Sequence, residues 1–173
     1  NLVEGESLSV SASGTFDSAN AGGRTATAYY TLADGDDGLA SNYVLADTSG
    51  HEATIDRRVL TISGTSAANK TYDGTTTANI SAGILGNLVD GENLNISASG
   101  TFDSANAGER SATAHYTLAD GDDGLAGNYT LADSSGLSAE ITRRRIGGTV
   151  TAVDRVYDGS RQATLNSALD ARA

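Results

Sequence analysis

Apolar and polar residues alternate along much of this chain. From Arg24 to Leu32, Ala26, Ala28, Tyr30 and Leu32 fall on one side, and Thr25, Thr27, Tyr29 and Thr31 on the other. A period of two is that of a strand with one face buried. Leu8, Val10 and Ala12 mark another strand, Tyr43 with Leu45 and Ala53 with Ile55 two more, and Leu60 and Ile62 begin a further one. Between them lie clusters of Asp, Asn and Gly, which is turn chemistry. Ser18 to Gly22 is expected to hold a single helical turn closed by Gly22. No long segment has a 3.6-residue period. The pattern predicts an all-β, mainly antiparallel fold, built as a small β-sandwich or a β-grasp-like sheet.

The alternation is written twice. Residues 1 to 58 match residues 87 to 144 at a constant offset of 86 without a gap, and about three-quarters of the positions are identical. Ser11 to Gly22 returns unchanged as Ser97 to Gly108, and Thr31 to Ala40 as Thr117 to Ala126. After Arg58 the copies diverge until Tyr72-Asp73-Gly74, which recurs at 157–159 with an offset of 85. Tandem domains of about 86 residues follow, arranged as an elongated stalk or filament. The expected division is a domain lacking its first strand at 1–64, a complete domain at 65–148, and the opening of a further one at 149–173. A missing strand leaves an open edge, which invites pairing with another chain. Both ends fall at the same phase of the repeat, so further copies are expected on either side.

Composition narrows the function. The 173 residues carry a net charge of −11, with a single Lys, ten Arg, two Phe and no Trp, Met or Cys. That sign is wrong for holding nucleic acid through its phosphates. No run reaches the roughly 18 apolar residues of a membrane span, and no signal peptide is evident. A cysteine-free chain rich in Thr, Asp, Gly and Asn suits a bacterial secreted surface protein rather than a disulfide-stapled domain.

The order of motifs resembles a known family. Lys70 to Ala78 with its Tyr-Asp-Gly, then Gly100-Thr-Phe102 with Asn106-Ala-Gly108, then Gly127 to Leu131, then Ile141 with Arg143 to Arg145, are similar to the YDG repeat and its MBG relatives. Those repeats occur in tandem in large bacterial adhesins and haemagglutinin-like exoproteins of the two-partner-secretion type. The resemblance implies a non-catalytic, mainly β stalk module at the cell surface. The chain departs from the pattern in its longer Asp34 to Ala40 loop and in lacking a Pro after the Ile.

Candidate chemistry is sparse. Asp34, Asp36 and Asp37, with Asp120, Asp122 and Asp123, form acidic Asp-Gly-Asp-Asp-Gly loops that read either as solvated turns or as calcium ligands. The spacing is not that of an EF-hand, and no other cofactor is implied. Tyr72-Asp73-Gly74 and Tyr157-Asp158-Gly159 read as strand ends followed by Asp-Gly turns, with the Tyr in a core or corner position. Asn42-Tyr43 and Asn128-Tyr129 read as similar structural corners. Arg57, Arg58, Arg143 and Arg144 stand where one domain hands over to the next and are expected to make interdomain contacts. His51 and His115 do not occupy equivalent positions, so neither reads as a repeated catalytic group. The leading reading is therefore a non-enzymatic structural repeat of an extracellular fibre or adhesin. Its partners would be neighbouring repeats, further copies by strand complementation, or a host or matrix surface. The alternative is a binding module that takes carbohydrate or calcium through the acidic loops.

Overall fold

The computed structural model describes residues 2–170. The first copy forms β1 (Leu8–Phe16), β2 (Gly22–Asp34) and β3 (Thr48–Ile55). A run of short strands follows: β4 (Arg58–Val59), β5 (Thr61–Ser63), β6 (Ser66–Ala67), β7 (Lys70–Thr71), β8 (Thr77–Ala78), β9 (Ile80–Ser81) and β10 (Ile84–Gly86). The second copy forms β11 (Leu94–Phe102), β12 (Gly108–Asp120), β13 (Tyr129–Thr130) and β14 (Ser134–Thr142). The chain continues into β15 (Gly148–Ala152) and β16 (Leu165–Leu169). Three-residue 3-10 turns at Ala40–Asn42 and Ala126–Asn128 are the helical content of the described residues. The protein is all-β, and its strands pair mainly antiparallel.

The chain divides into two compact units. The first comprises Asn1–Thr65, Ala82–Ala98 and His115–Asp133. It holds the antiparallel sheet β1-β2-β3, in register from Leu8↔Asp34 to Phe16↔Ala26 and from Gly22↔Ile55 to Ala28↔Thr48. It also holds the antiparallel pair β10-β5 and the parallel pair β13-β4. Leu60 and Tyr129 are its buried side chains.

The second unit comprises Ser66–Ser81, Ser99–Ala114 and Ser134–Ala173. A five-stranded sheet in the order β7-β14-β12-β11-β8 supplies its frame. The segment between β6 and β9 clamps this sheet. Lys70 and Thr71 run parallel to Ile141 and Thr142, and Thr77 and Ala78 pair with Thr101 and Gly100. Ala78 and Ile80 then close over Phe102, Ala112, Ala114, Ala139 and Ile141, and all seven are buried. Alternation along β12 is as expected, with Ala112 and Ala114 inward and Ser111 and His115 outward. Gly100 admits the cover, because a methyl there would stand 2.3 Å from Ile80 Cγ1.

The first copy lacks that cover although its letters are the same. Phe16 is 45% exposed, whereas Phe102 is 4% exposed. Ala26, Ala28 and Ile55 are only half-buried and Ala53 is exposed. A methyl at Gly14 would meet only the Thr27 carbonyl, at 3.2 Å.

Two local expectations need correction. Within Ser18 to Gly22, residues 19–21 form bends and Gly22 opens β2, so there is no helical turn. Ser18 Oγ accepts the Asn20 N–H at 3.1 Å, and the Arg24 guanidinium binds the Asn20 and Ala21 carbonyls at 2.7 and 3.0 Å. These side chains satisfy the backbone groups that a helical turn would otherwise pair. Tyr43 and Leu45 also form no strand. The counterpart of Tyr43, Tyr129, does form a strand with Thr130, because Arg58 and Val59 run beside them, whereas Leu131, the counterpart of Leu45, does not. Strand assignment here depends on a neighbour, not on the segment itself.

Gly100→Ala is expected to lower stability by about 1–3 kcal/mol, the range for overpacked cores. Gly14→Ala should stay within about 0.5 kcal/mol of the parent. Urea unfolding giving equal losses would contradict the Ile80 cover.

Candidate functional site

Each Tyr-Asp-Gly is an Asp-centred turn. Asp73 Oδ1 accepts the Thr75 N–H at 2.8 Å, the Thr75 hydroxyl at 2.9 Å and Lys70 Nζ at 2.9 Å. Lys70 Nζ also donates to the Thr75 and Thr77 carbonyls at 2.8 and 3.0 Å, and lies 5.7 Å from the centre of the Phe102 ring. Gly74 turns the chain at φ 82°, where a side chain would be strained. Lys70, and then the Thr75 groups, hold the Asp73 carboxyl down at about 2 from its ordinary 3.8. Asp158 repeats the arrangement: it accepts the Ser160 N–H at 2.9 Å and pairs with Arg155, and its carboxyl is likewise lowered, first by that N–H. Gly159 turns at φ 76°. Tyr72 is not a core residue. Its N–H donates to the Thr142 carbonyl at 2.8 Å, but the side chain is 40% exposed, and that of Tyr157 is more so.

The acidic loops are backbone stitches. Asp34 Oδ1 accepts the Ala40 N–H at 2.7 Å, and Asp120 Oδ1 the Ala126 N–H at 2.7 Å, so each first Asp starts the following 3-10 turn. Gly38 and Gly124 are needed for close approach: a methyl would stand 2.2 Å from the Ser7 and Asn93 carbonyl oxygens. The Asp36 N–H is taken by Ser7 Oγ and that of Asp122 by Asn93 Oδ1, while Asp37 sits at φ 57°. Asp36, Asp37, Asp122 and Asp123 are exposed or partly exposed. Among the described residues, no three His, Cys, Asp or Glu side chains gather as metal ligands.

Asn-Tyr is a corner built the same way twice. Tyr129 Oη accepts the Val89 N–H at 3.2 Å and donates to Glu92 Oε2 at 2.5 Å. Tyr43 Oη accepts the Val3 N–H at 3.0 Å and donates to Glu6. Both phenols are raised above their ordinary value. Burial is the main cause at Tyr129, and the Glu6 hydrogen bond at Tyr43.

The corner of the second copy also meets the first. Asn128 Oδ1 accepts the Ala21 N–H at 2.9 Å, and Asn128 Nδ2 donates to Asn20 Oδ1 at 3.0 Å. Arg58 Nε and Nη2 donate to the carbonyl and Oδ1 of Asn87 at 2.8 and 2.9 Å, and Asn87 Nδ2 donates to the Val59 carbonyl at 2.7 Å. A cleft of about 240 Å³ lies between these groups, lined by Ala21, Ile55, Arg58, Val89, Asn128 and Tyr129 among others. All of them belong to the first unit, so residues of the two copies share one compact body. This junction is a polar site held by five hydrogen bonds among the described residues. It is mostly neutral, and what it can do is fix one copy against the next. Of the basic residues expected at the handover, Arg58 takes part through Asn87, and Arg57 is exposed. Arg143 and Arg144 flank a shallow apolar cavity of about 350 Å³ with Tyr72, Ala107 and Ile146. Sequence reasoning missed Asn20, Asn87 and Glu92. Their spacing to the corner recurs in both copies, with Glu6 and Glu92 each 37 residues before their Tyr, and that recurrence was the available signal.

The described residues form an all-β fold whose polar side chains shape its turns and corners. A family model described as the YDG domain matches residues 56–136, so a YDG domain lies there. That span runs from the Arg pair through the Tyr-Asp-Gly turn and the corner into β14. No curated protein and no solved structure matches the chain.

Asp73 binds a proton less readily in the folded chain than in the unfolded one. Its contribution to stability is therefore present above pH 3.8 and lost as pH falls toward 2. Asp73→Asn should lose less stability than the parent between those pH values, measured by urea midpoints; an unchanged acid limb would contradict the Lys70 pairing. Tyr129→Phe removes both bonds of a buried hydroxyl and should cost about 1–3 kcal/mol. A thermal melt indistinguishable from the parent would exclude the corner as a stabilising feature.

Proposed function

We propose that this chain is a non-catalytic structural repeat of a bacterial extracellular adhesin or fibre, providing length, stiffness and contacts between successive copies. In this reading the modules are small sandwich-like or grasp-like domains of about 86 residues, set in tandem as an elongated stalk on the cell surface. The observation that carries it is the junction. The same elements recur 86 residues apart, and Asn128 and Arg58 tie the handover into one body. A module that repeats and joins itself through residues within the repeat can be extended by adding copies. The YDG match over residues 56–136 agrees with the motif resemblance, and it is that resemblance which suggests the adhesin context. The charge of −11 supports it too, since mutual repulsion keeps long arrays soluble and apart.

The test is length. Concatemers of this chain, examined by small-angle scattering and electron microscopy, should lengthen in proportion to copy number at constant width. Concatemers that collapse into globules would overturn the proposal, as would antibody labelling that finds the protein only inside the cells that make it.

A further inference from the structure

Tension along a chain of repeats enters each module through its first strands and leaves through its last. The way those strands are joined decides what load the module withstands. Between Arg58 and Thr142 they meet directly, and side by side in the same direction. β4 runs parallel to β13, with Arg58 opposite Tyr129 and Val59 opposite Thr130. β7 runs parallel to β14, with Lys70 opposite Ile141 and Thr71 opposite Thr142. Pulling on the chain draws β4 toward its N-terminal end and, through β14 and residues 131–133, draws β13 toward its C-terminal end. In a parallel pair those pulls oppose each other along the strands. The strands must slide, so the evenly spaced cross-bonds share the load and break together. An antiparallel pair under the same pulls would open from one end, one bond at a time. β7, drawn back through residues 60–69, is loaded against β14 in the same way.

Each of these ladders is two residues long, and side chains lock both against sliding. In the first unit, Leu60 N–H donates to the Thr130 carbonyl at 2.8 Å. Arg58 grips the Asn87 carbonyl and Oδ1 at 2.8 and 2.9 Å, and Asn87 Nδ2 holds the Val59 carbonyl at 2.7 Å. Asn87 sits at φ 67° to do so, a backbone conformation that costs free energy in a residue other than glycine. In the second unit, Tyr72 N–H donates to the Thr142 carbonyl at 2.8 Å, and Glu140 N–H to Asn69 Oδ1 at 2.8 Å. Lys70 Nζ ties β7 to Asp73 and to the Thr75 and Thr77 carbonyls at 2.9, 2.8 and 3.0 Å. Beyond that turn, Thr77 and Ala78 pair with β11 at the opposite edge of the sheet. β7 therefore cannot slide without dragging a loop that is anchored across the sheet.

We propose that residues 58–142 form a tension-bearing module in which β4–β13 and β7–β14 are shear clamps between the entering and the leaving chain. Asn87 is the lock of the first clamp and Asn69 that of the second. The module resists pulling along the chain far better than pulling that peels the same strands apart. This inference rests on the structural-repeat reading and adds to it the load that each repeat carries.

Single-molecule force spectroscopy on the full chain tests it. The chain has no cysteine, so introduced ones define where force is applied. Asp56, Gly127 and Arg145 are exposed, and a side chain at Gly127 would meet nothing within 4 Å. Asp56→Cys with Arg145→Cys loads both clamps in shear. Asp56→Cys with Gly127→Cys pulls β4 and β13 apart from the ends at which both begin, and so peels them. The first pair should unfold at a severalfold higher force than the second. Asn87→Gly keeps the positive φ accessible and removes the side-chain lock. Held at constant load in the shear direction, it should unfold about tenfold faster, the size expected for about one or two lost hydrogen bonds. Equal forces in the two directions, or an Asn87→Gly rate equal to that of the parent, overturns the inference. Concatemers that still lengthen with copy number would then leave the structural-repeat reading standing. Direction-dependent forces in concatemers that collapse would instead uphold the clamps and sink that reading.

Discussion

The second unit depends on one act of covering. A sheet of Ala, Ile and Phe side chains is too thin to form a core by itself, and Ala78 and Ile80 close it from outside. Burial of that face is the main favourable contribution, since each apolar group stabilises only when it leaves water. Gly100 sets how close the cover can come, and Lys70 ties the covering loop to the Phe102 ring and to Asp73. The turn chemistry serves the same end, because a cover that enters along one edge and leaves along the other must reverse sharply between β7 and β8.

Most of the polar motifs then find a common role. Asp73, Asp34 and Asp120 accept backbone N–H groups two or six residues ahead, and Tyr43 and Tyr129 accept them from distant loops. In each case a loop's backbone donors are satisfied by a nearby side chain rather than by a long ladder. This is how a chain without disulfides, and with little apolar bulk, keeps its connections in place. The residues that join one copy to the next, Asn128 and Arg58, extend the same chemistry across the handover.

Strand positions on β1, β2, β3, β11, β12 and β14 were legible in the sequence because alternation is a local signal, and their facing was legible for the same reason. The YDG match over 56–136 was legible in the order of short motifs. The corner partners were harder to see. Glu92 and Asn87 lie 37 and 41 residues before Tyr129 and Asn128 respectively, and only a three-dimensional neighbour makes either significant. The acidic loops read two ways for a related reason. Asp and Gly suit both cation ligation and tight backbone packing, and the packing of Gly38 against Ser7 appears only when the chain is folded.

The sequence alone determined that the chain is all-β, that its pattern repeats every 86 residues, and which side chains face inward. It led to the expectation that the first copy lacks a strand, but not to which side chains that strand covers. Ser11 to Gly22 and Ser97 to Gly108 are the same twelve letters, yet Phe16 is 45% exposed and Phe102 4%. Alternation is a property of one strand, fixed by the backbone's period of two. Burial is a property of two surfaces together, and only the tertiary structure decides which copy has its partner.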